Sequence, residues 1–200
     1  MMPLLTADQE DALRELINIG VGRAAGMLNE MTSSRIRLHV PWLRVVEAGN
    51  LGPFIEGERE HLSAVKMDFG GPLSGMAALI FPTESAVILV SHLTGESSGA
   101  PDIDALRAVT LTEIGNIVVN CVLGSIMNIL QRQVSYSLPR YSEGTLSSVI
   151  CSSVADPSDR VLLVRTRFCL EDLQLEGDIV LILEVGSLDL LCTEIESMAK

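Results

Sequence analysis

The chain has 200 residues, is 48 % hydrophobic and carries a formal net charge of −12. That apolar share can bury one sizeable core, whereas the acidic balance and an aromatic content of only 4 % exclude the basic, stacking surfaces that hold nucleic acid. No run approaches about eighteen consecutive apolar residues and the N-terminus reaches Asp8 without a basic segment, so the expectation is a cytoplasmic chain with neither membrane insertion nor a secretory signal.

The first predicted element is a long helix. Thr6 followed by Gln9 is a capping box, and Asp8 and Glu10 sit where the helix dipole favours negative charge. Leu13, Leu16, Ile17, Ala24, Leu28 and Met31 recur at helical spacing and form the buried stripe. On the other face Asp11, Glu15, Asn18, Gly22, Ala25 and Asn29 make a narrow line of polar and small residues. Strand-like runs follow at Arg35–Val40, Leu43–Val46, Leu62–Phe69 and Met76–Phe81, then a short helix over about Glu84–Leu93 after Thr83. The stretch from Gly95 to Pro101, rich in Ser, Gly and Pro, is the natural seam of the chain.

Beyond the seam a second long helix opens near Asp102, its N-cap, and runs to about Leu130. Its buried stripe is Leu106, Ile114, Ile117, Val118, Cys121 and Ile126, opposite the line Val109, Glu113, Asn116, Asn120, Leu123 and Met127. Strands are expected at Val134–Leu138, Arg160–Cys169 and Asp178–Leu183, and a last helix over about Leu188–Met198 after Ser187. Gly20, Gly22, Gly115 and Gly124 lie within the two long helices, where each costs about 1 kcal/mol relative to Ala. Such a cost points to close approach by another backbone, either a packed helix or a partner.

The two halves carry one pattern twice. Glu15, Asn18 and Pro41 reappear as Glu113, Asn116 and Pro139, each time as E-x-x-N, twenty-two residues and Pro. With each residue at about 5 % usage, one such triple arises by chance in about 2 % of chains this long; a second copy is far rarer, so it marks duplication. Gly75–Leu93 likewise has the rhythm of Gly177–Ile195. The first pair of segments is offset by 98 (15 to 113) and the second by 102 (75 to 177), a difference that a small loop insertion explains. The expected fold is therefore α+β: one domain over 1–200, with repeats of about 1–98 and 99–200 related by a pseudo-two-fold. Each half has a long amphipathic helix, mainly antiparallel strands and a shorter helix around one shared core.

Cys121, Cys151, Cys169 and Cys192 sit apart and read as buried thiols, and His39, His61 and His92 have no partner at ligand spacing. No intrinsic metal site and no cofactor of its own is expected. Glu and Asn three apart on a helix offer one charged acceptor and one amide, without a nucleophile or a second carboxylate for acyl or glycoside chemistry. An amide donates and accepts at once, which suits it to hold a water in line with a phosphorus atom. The chain has no P-loop and no paired Asp cluster for Mg²⁺, so phosphate and metal would have to arrive on another protein. The prolines are given a geometric role, setting the start of the next segment.

These residues resemble the CheC phosphatases of bacterial and archaeal chemotaxis, with their relatives CheX and FliY. The family signature, D/S-x-x-x-E-x-x-N-x(22)-P, is matched by Asp11, Glu15, Asn18 and Pro41; the second copy keeps Glu113, Asn116 and Pro139 but has Val109 in place of Asp or Ser. Two copies make the chain CheC-like. The resemblance implies dephosphorylation of a phosphorylated response regulator such as CheY, with Mg²⁺ on that partner's receiver domain. By position, Asn18 and Asn116 would orient the attacking water, Glu15 and Glu113 would dock on the receiver's lysine, and Asp11 would be accessory. A non-catalytic module that binds phosphorylated receivers is the alternative.

The resemblance also implies CheD as a partner, through a segment that in the family sets an acid beside a Met. Here that segment is Tyr141–Leu146, with Glu143 and no Met, a departure from the pattern. Asp11 against Val109 leads to the expectation that the first copy is at least as competent as the second. Leu123 and Met127 would give the second an apolar rim, and Asn29 and Asn120 read as rim residues.

Overall fold

The computed structural model describes residues 5–39, 41–51, 61–97, 102–129, 131, 133–145, 148–149, 159–184 and 193. In chain order these form α1 (Ala7–Thr32), β1 (Ile36–Leu38), β2 (Trp42–Glu47), a 3-10 turn at Ala48–Asn50, β3 (Leu62–Gly70), β4 (Gly75–Pro82) and α2 (Thr83–Thr94). The second half supplies α3 (Ile103–Ile129), β5 (Ser135–Tyr136), β6 (Arg140–Gly144), β7 (Arg160–Leu170) and β8 (Leu175–Glu184). The predicted helix over Leu188–Met198 falls outside the described residues save for Thr193, which is helical. The fold is α+β, as expected.

Helix α1 starts where its capping chemistry places it. The Gln9 N–H donates to Thr6 Oγ1 at 3.2 Å and the Thr6 N–H to Gln9 Oε1 at 2.8 Å, so two backbone donors left without helical partners are satisfied reciprocally. At the other end Ser33 takes a left-handed conformation, and His92 Nε2 on α2 lies 2.9 Å from the Thr32 carbonyl oxygen, tying α2 to that terminus. In α3 the Leu106 N–H donates to the Asp102 carbonyl at 3.0 Å, the bond that sets Asp102 at the N-cap position. Helix α2 begins one residue earlier than expected, with Pro82 rather than Thr83 before its first residue.

The eight strands form one sheet in the order β1-β7-β8-β4-β3-β5, with β2 also pairing β7 and β6 also pairing β3, every pair antiparallel. Exchanging each strand for its counterpart in the other half turns this order into its own reverse. Register obeys the same symmetry. In the central ladder Met76 faces Ile182 and Ile80 faces Asp178, and an offset of 102 (76 to 178, 80 to 182) carries one pair onto the other. Strand β6 was not anticipated: Arg140-Tyr141-Ser142-Glu143-Gly144 lacks apolar alternation because it is a polar edge strand, whereas its counterpart β2 buries Leu43 and Val46.

The single shared core of the sequence reading is two clusters, one on each face of the sheet. Leu13, Ile17, Leu28, Ile114, Val118, Leu79, Leu181 and Phe168 belong to the helix-facing cluster, to which both halves contribute. Met76, Ala78, Ile80, Val180 and Ile182 pack on the opposite face with Leu51 and Val149. The central strands β4 and β8 are thus buried on both sides, which is why they read as continuous apolar runs. Helix α3 is long and apolar enough by composition to cross a membrane, yet Ile114, Val118, Val119 and Val122 are buried within the fold, giving it the character of a core helix.

Candidate functional site

The motif helices pack on each other through their buried stripes. A Cβ built on Gly20 of α1 would stand 3.0 Å from the Val122 carbonyl oxygen of α3, so the two backbones meet there. Arg23 Nη1 donates to Ser125 Oγ across the same junction at 3.4 Å. Gly115 is equally tight against β3, where its Cβ would lie 2.5 Å from Val65. These two glycines are internal packing positions. Gly22 and Gly124 have nothing within 4 Å of a built Cβ, and neither has Gly26, so helix packing does not account for them.

With the stripes turned inward, the motifs are left at the surface. Asp11, Glu15 and Asn18 are exposed on α1, followed by exposed Gly22 one turn later; Ala25 is buried and leaves the line. Asn29 is engaged locally, its Nδ2 donating to the Ser34 carbonyl at 3.0 Å beyond the helix end. On α3 Val109 is 64 % exposed, Glu113 is exposed and Asn116 is half-buried. Leu123 and Met127 are only 1 % and 4 % exposed, so the expected apolar rim does not exist. Helix α3 is covered by α1 and by the sheet, and the burial widens past the stripe that periodicity alone gives.

No side-chain hydrogen bond or ion pair engages Glu15, Asn18 or Glu113 among the described residues. Asn116 differs: Asn120 Nδ2 donates to its Oδ1 at 2.8 Å. Asn120, read as rim from the sequence, therefore touches a motif residue directly. Its spacing of four from Asn116 on one helix was the available signal.

Pro41 is buried and Pro139 half-buried, each directly before an edge strand, β2 in one half and β6 in the other. Lacking an N–H, proline suits the approach to an edge strand, and this matches the geometric role expected of it.

The segment singled out as a docking stretch is tied inward. Arg107, nearly buried on α3, donates through Nη2 to Glu143 Oε1 at 2.5 Å and through Nε to the Tyr141 hydroxyl at 3.0 Å, and pairs with Asp104 at 3.1 Å. The Tyr141 hydroxyl also donates to Glu143. That hydrogen bond, with help from Arg107 and against burial, holds the Glu143 carboxyl below its ordinary range. Burial pushes the Tyr141 phenol up. Leu146 falls outside the described residues. Cys121 and Cys169 are free and half-buried; Cys151 and Cys192 are outside the described residues.

No protein-family model matches the chain. Over 158 residues it is 25 % identical to the CheY-P phosphatase CheC of Bacillus subtilis (strain 168), covering 76 % of this chain and 74 % of that protein. Among solved structures it is similar to Thermotoga maritima FliY, with a TM-score of 0.77 and 16 % identity over 98 % of this chain and 99 % of that one. It is also similar to a chain of the CheX-CheY-BeF3-Mg complex from Borrelia burgdorferi, with a TM-score of 0.56 and 17 % identity over 85 % and 98 %. The chain is thus similar in sequence to CheC and shares its fold with FliY and CheX.

Proposed function

We propose that this chain dephosphorylates the aspartyl phosphate of a CheY-like receiver domain in the cytoplasm. The observation that carries the reading is the pair of Glu-x-x-Asn motifs presented at the surface on two long helices whose opposite faces are locked into the core. A rigid helix holds Glu and Asn one turn apart and able to reach into a partner's site. The name of the Bacillus relative supports the substrate class.

In this reading the receiver brings the phosphorylated aspartate, and a Mg²⁺ in the receiver's own site would neutralise phosphate charge. Glu15 or Glu113 pairs with a receiver lysine and fixes the approach of the helix. Asn18 or Asn116 then hydrogen-bonds a water and aligns its oxygen with phosphorus. The new P–O bond forms as the bond from phosphorus to the aspartyl oxygen breaks, the electron pair leaves with the carboxylate, and the water's protons stay with phosphate and solvent.

The test is phosphate release from a phosphorylated receiver at catalytic amounts of this chain. Asn18→Ala and Asn116→Ala should each leave turnover from the other copy, and the double variant should fall to the receiver's own rate. A folded double variant with wild-type turnover refutes the mechanism. Stoichiometric protection of the phosphate by the wild-type chain, without turnover, would make it a binding module.

A further inference from the structure

We propose that Asn120 is a positioning residue for the second motif, so that the two copies are built unequally and the second is the pre-ordered one. The proposal rests on the phosphatase reading above and adds a determinant that lies outside the repeated pattern.

An asparagine amide turns about its last side-chain bond between two broad orientations that exchange donor and acceptor. A residue whose task is to place one water loses effectiveness in proportion to the time its amide spends turned the other way. At 2.8 Å the Asn120 Nδ2–H donates to Asn116 Oδ1 and tethers that side chain, and held this way Asn116 keeps its NH₂ and the second Oδ1 lone pair for a ligand. Half-burial of Asn116 restricts the side chain further. At the same offset of 98 (22 to 120), the first copy has Gly22, with no side chain to hold the exposed Asn18.

Water competes for this bond in the free protein, which keeps its net strength small. A receiver docked over α3 would remove that water, and the bond then gains as its surroundings become less polar. The benefit belongs to the reacting complex, and it predicts an effect on kcat rather than on receiver affinity. This ordering reverses the expectation drawn from Asp11 and Val109.

The experiment uses the full chain with Asn18→Ala, so that only the second copy turns over, and a phosphorylated CheY-like receiver as substrate. Asn120→Ala in that background should lower kcat about two- to tenfold with KM within about twofold, and Asn120→Gln, which keeps an amide on a longer arm, should recover most of it. In the free protein, NMR relaxation of the Asn116 side-chain amide should show it more mobile after Asn120→Ala. Unchanged kcat, or an Asn116 amide equally mobile with and without Asn120, overturns the inference. An inert Asn18→Ala chain beside an active Asn116→Ala chain overturns it too while the phosphatase reading stands. No turnover by the wild-type chain removes that reading instead, and the NMR comparison then decides the tether.

Discussion

A Cβ on Gly75 of β4 would stand 2.1 Å from the carbonyl oxygen of Ile182 on the neighbouring strand β8, well inside contact distance. The ring of Phe69, its cross-strand partner, lies 2.9 Å from the same point. Gly177, the counterpart in the second repeat, is likewise opposite Phe168, whose ring tip would be 2.4 Å from its Cβ. Each hairpin therefore sets a phenylalanine over a glycine on the adjacent strand, and duplication preserved the pair because both halves build the centre of the sheet from it.

Gly75→Ala should destabilise the chain by about 3 kcal/mol, the upper end of the usual range for overpacking, because a backbone carbonyl cannot swing aside as a side chain does. The corresponding fall in Tm is about 6–12 °C for a domain of this size. Gly22→Ala is the contrasting substitution: it meets open space in a helix and should stabilise by up to about 1 kcal/mol. Thermal unfolding of the two variants checks both signs, and a neutral Gly75→Ala would show that β4 and β8 can part at this point without loss.

Glu15→Gln and Glu113→Gln together should raise KM for the phosphorylated receiver about three- to tenfold and leave kcat nearly unchanged. Both carboxylates are exposed, so their attraction for a lysine is expressed when the partner docks and excludes water. Initial rates over a range of receiver concentrations separate the two constants. A large loss of kcat at constant KM would put the glutamates in the chemistry and not in docking.

Acid should weaken the link between α3 and the sheet edge. The Glu143 carboxyl is held below its ordinary range, first by the Tyr141 hydrogen bond and then by Arg107, so the folded state favours its charged form. Its contribution is complete above the unfolded carboxyl pKa, about 4.3, and is lost as pH falls through the lower folded value. Tyr141 is shifted up by burial and acts at the other extreme, its contribution fading as pH rises above about 10. Glu143→Gln should therefore lower the unfolding free energy measured by urea titration at pH 7, by an amount on the order of 1 kcal/mol given the carboxylate's exposure. The gap from wild type should close below about pH 4; a gap independent of pH would assign the loss to packing.

What the sequence disclosed was what is encoded locally or twice. The Thr6–Gln9 capping box and the stripe from Leu13 to Leu28 depend on neighbours along the chain, the offset of 102 is a repetition, and all three reappear in the fold. Leu123 and Met127 are buried against expectation because periodicity describes one buried face, and α3 is covered on two. Gly20 and Gly22 look alike as letters, yet one touches a neighbouring backbone and the other opens to space. Edge strand β6 carries no apolar alternation, since its register comes from β3. Within the candidate site the repeat singles out Glu15, Asn18, Glu113 and Asn116, whereas Asn120 reads only as rim because it has no counterpart in the first copy.

Asp11 gives the last prediction, since it is the one signature position at which the two copies differ in kind. It is exposed on α1 one turn before Glu15 and has no partner among the described residues, whereas Val109 at the matching place offers only apolar surface. A solvated charge at the rim of a docking face acts on association more than on chemistry, and its reach in physiological salt is about 8 Å. With only the first copy active, in an Asn116→Ala chain, Asp11→Ala should raise KM about two- to threefold without changing kcat. The difference should shrink as salt is added, because screening weakens an exposed charge that is present in one chain and missing in the other. Thermal melts control for the helix dipole, where a charge beyond the first turn matters little. A fall in kcat at constant KM would move Asp11 into the reacting site, and no change in either constant at low salt would leave it as a solvated residue of the helix face.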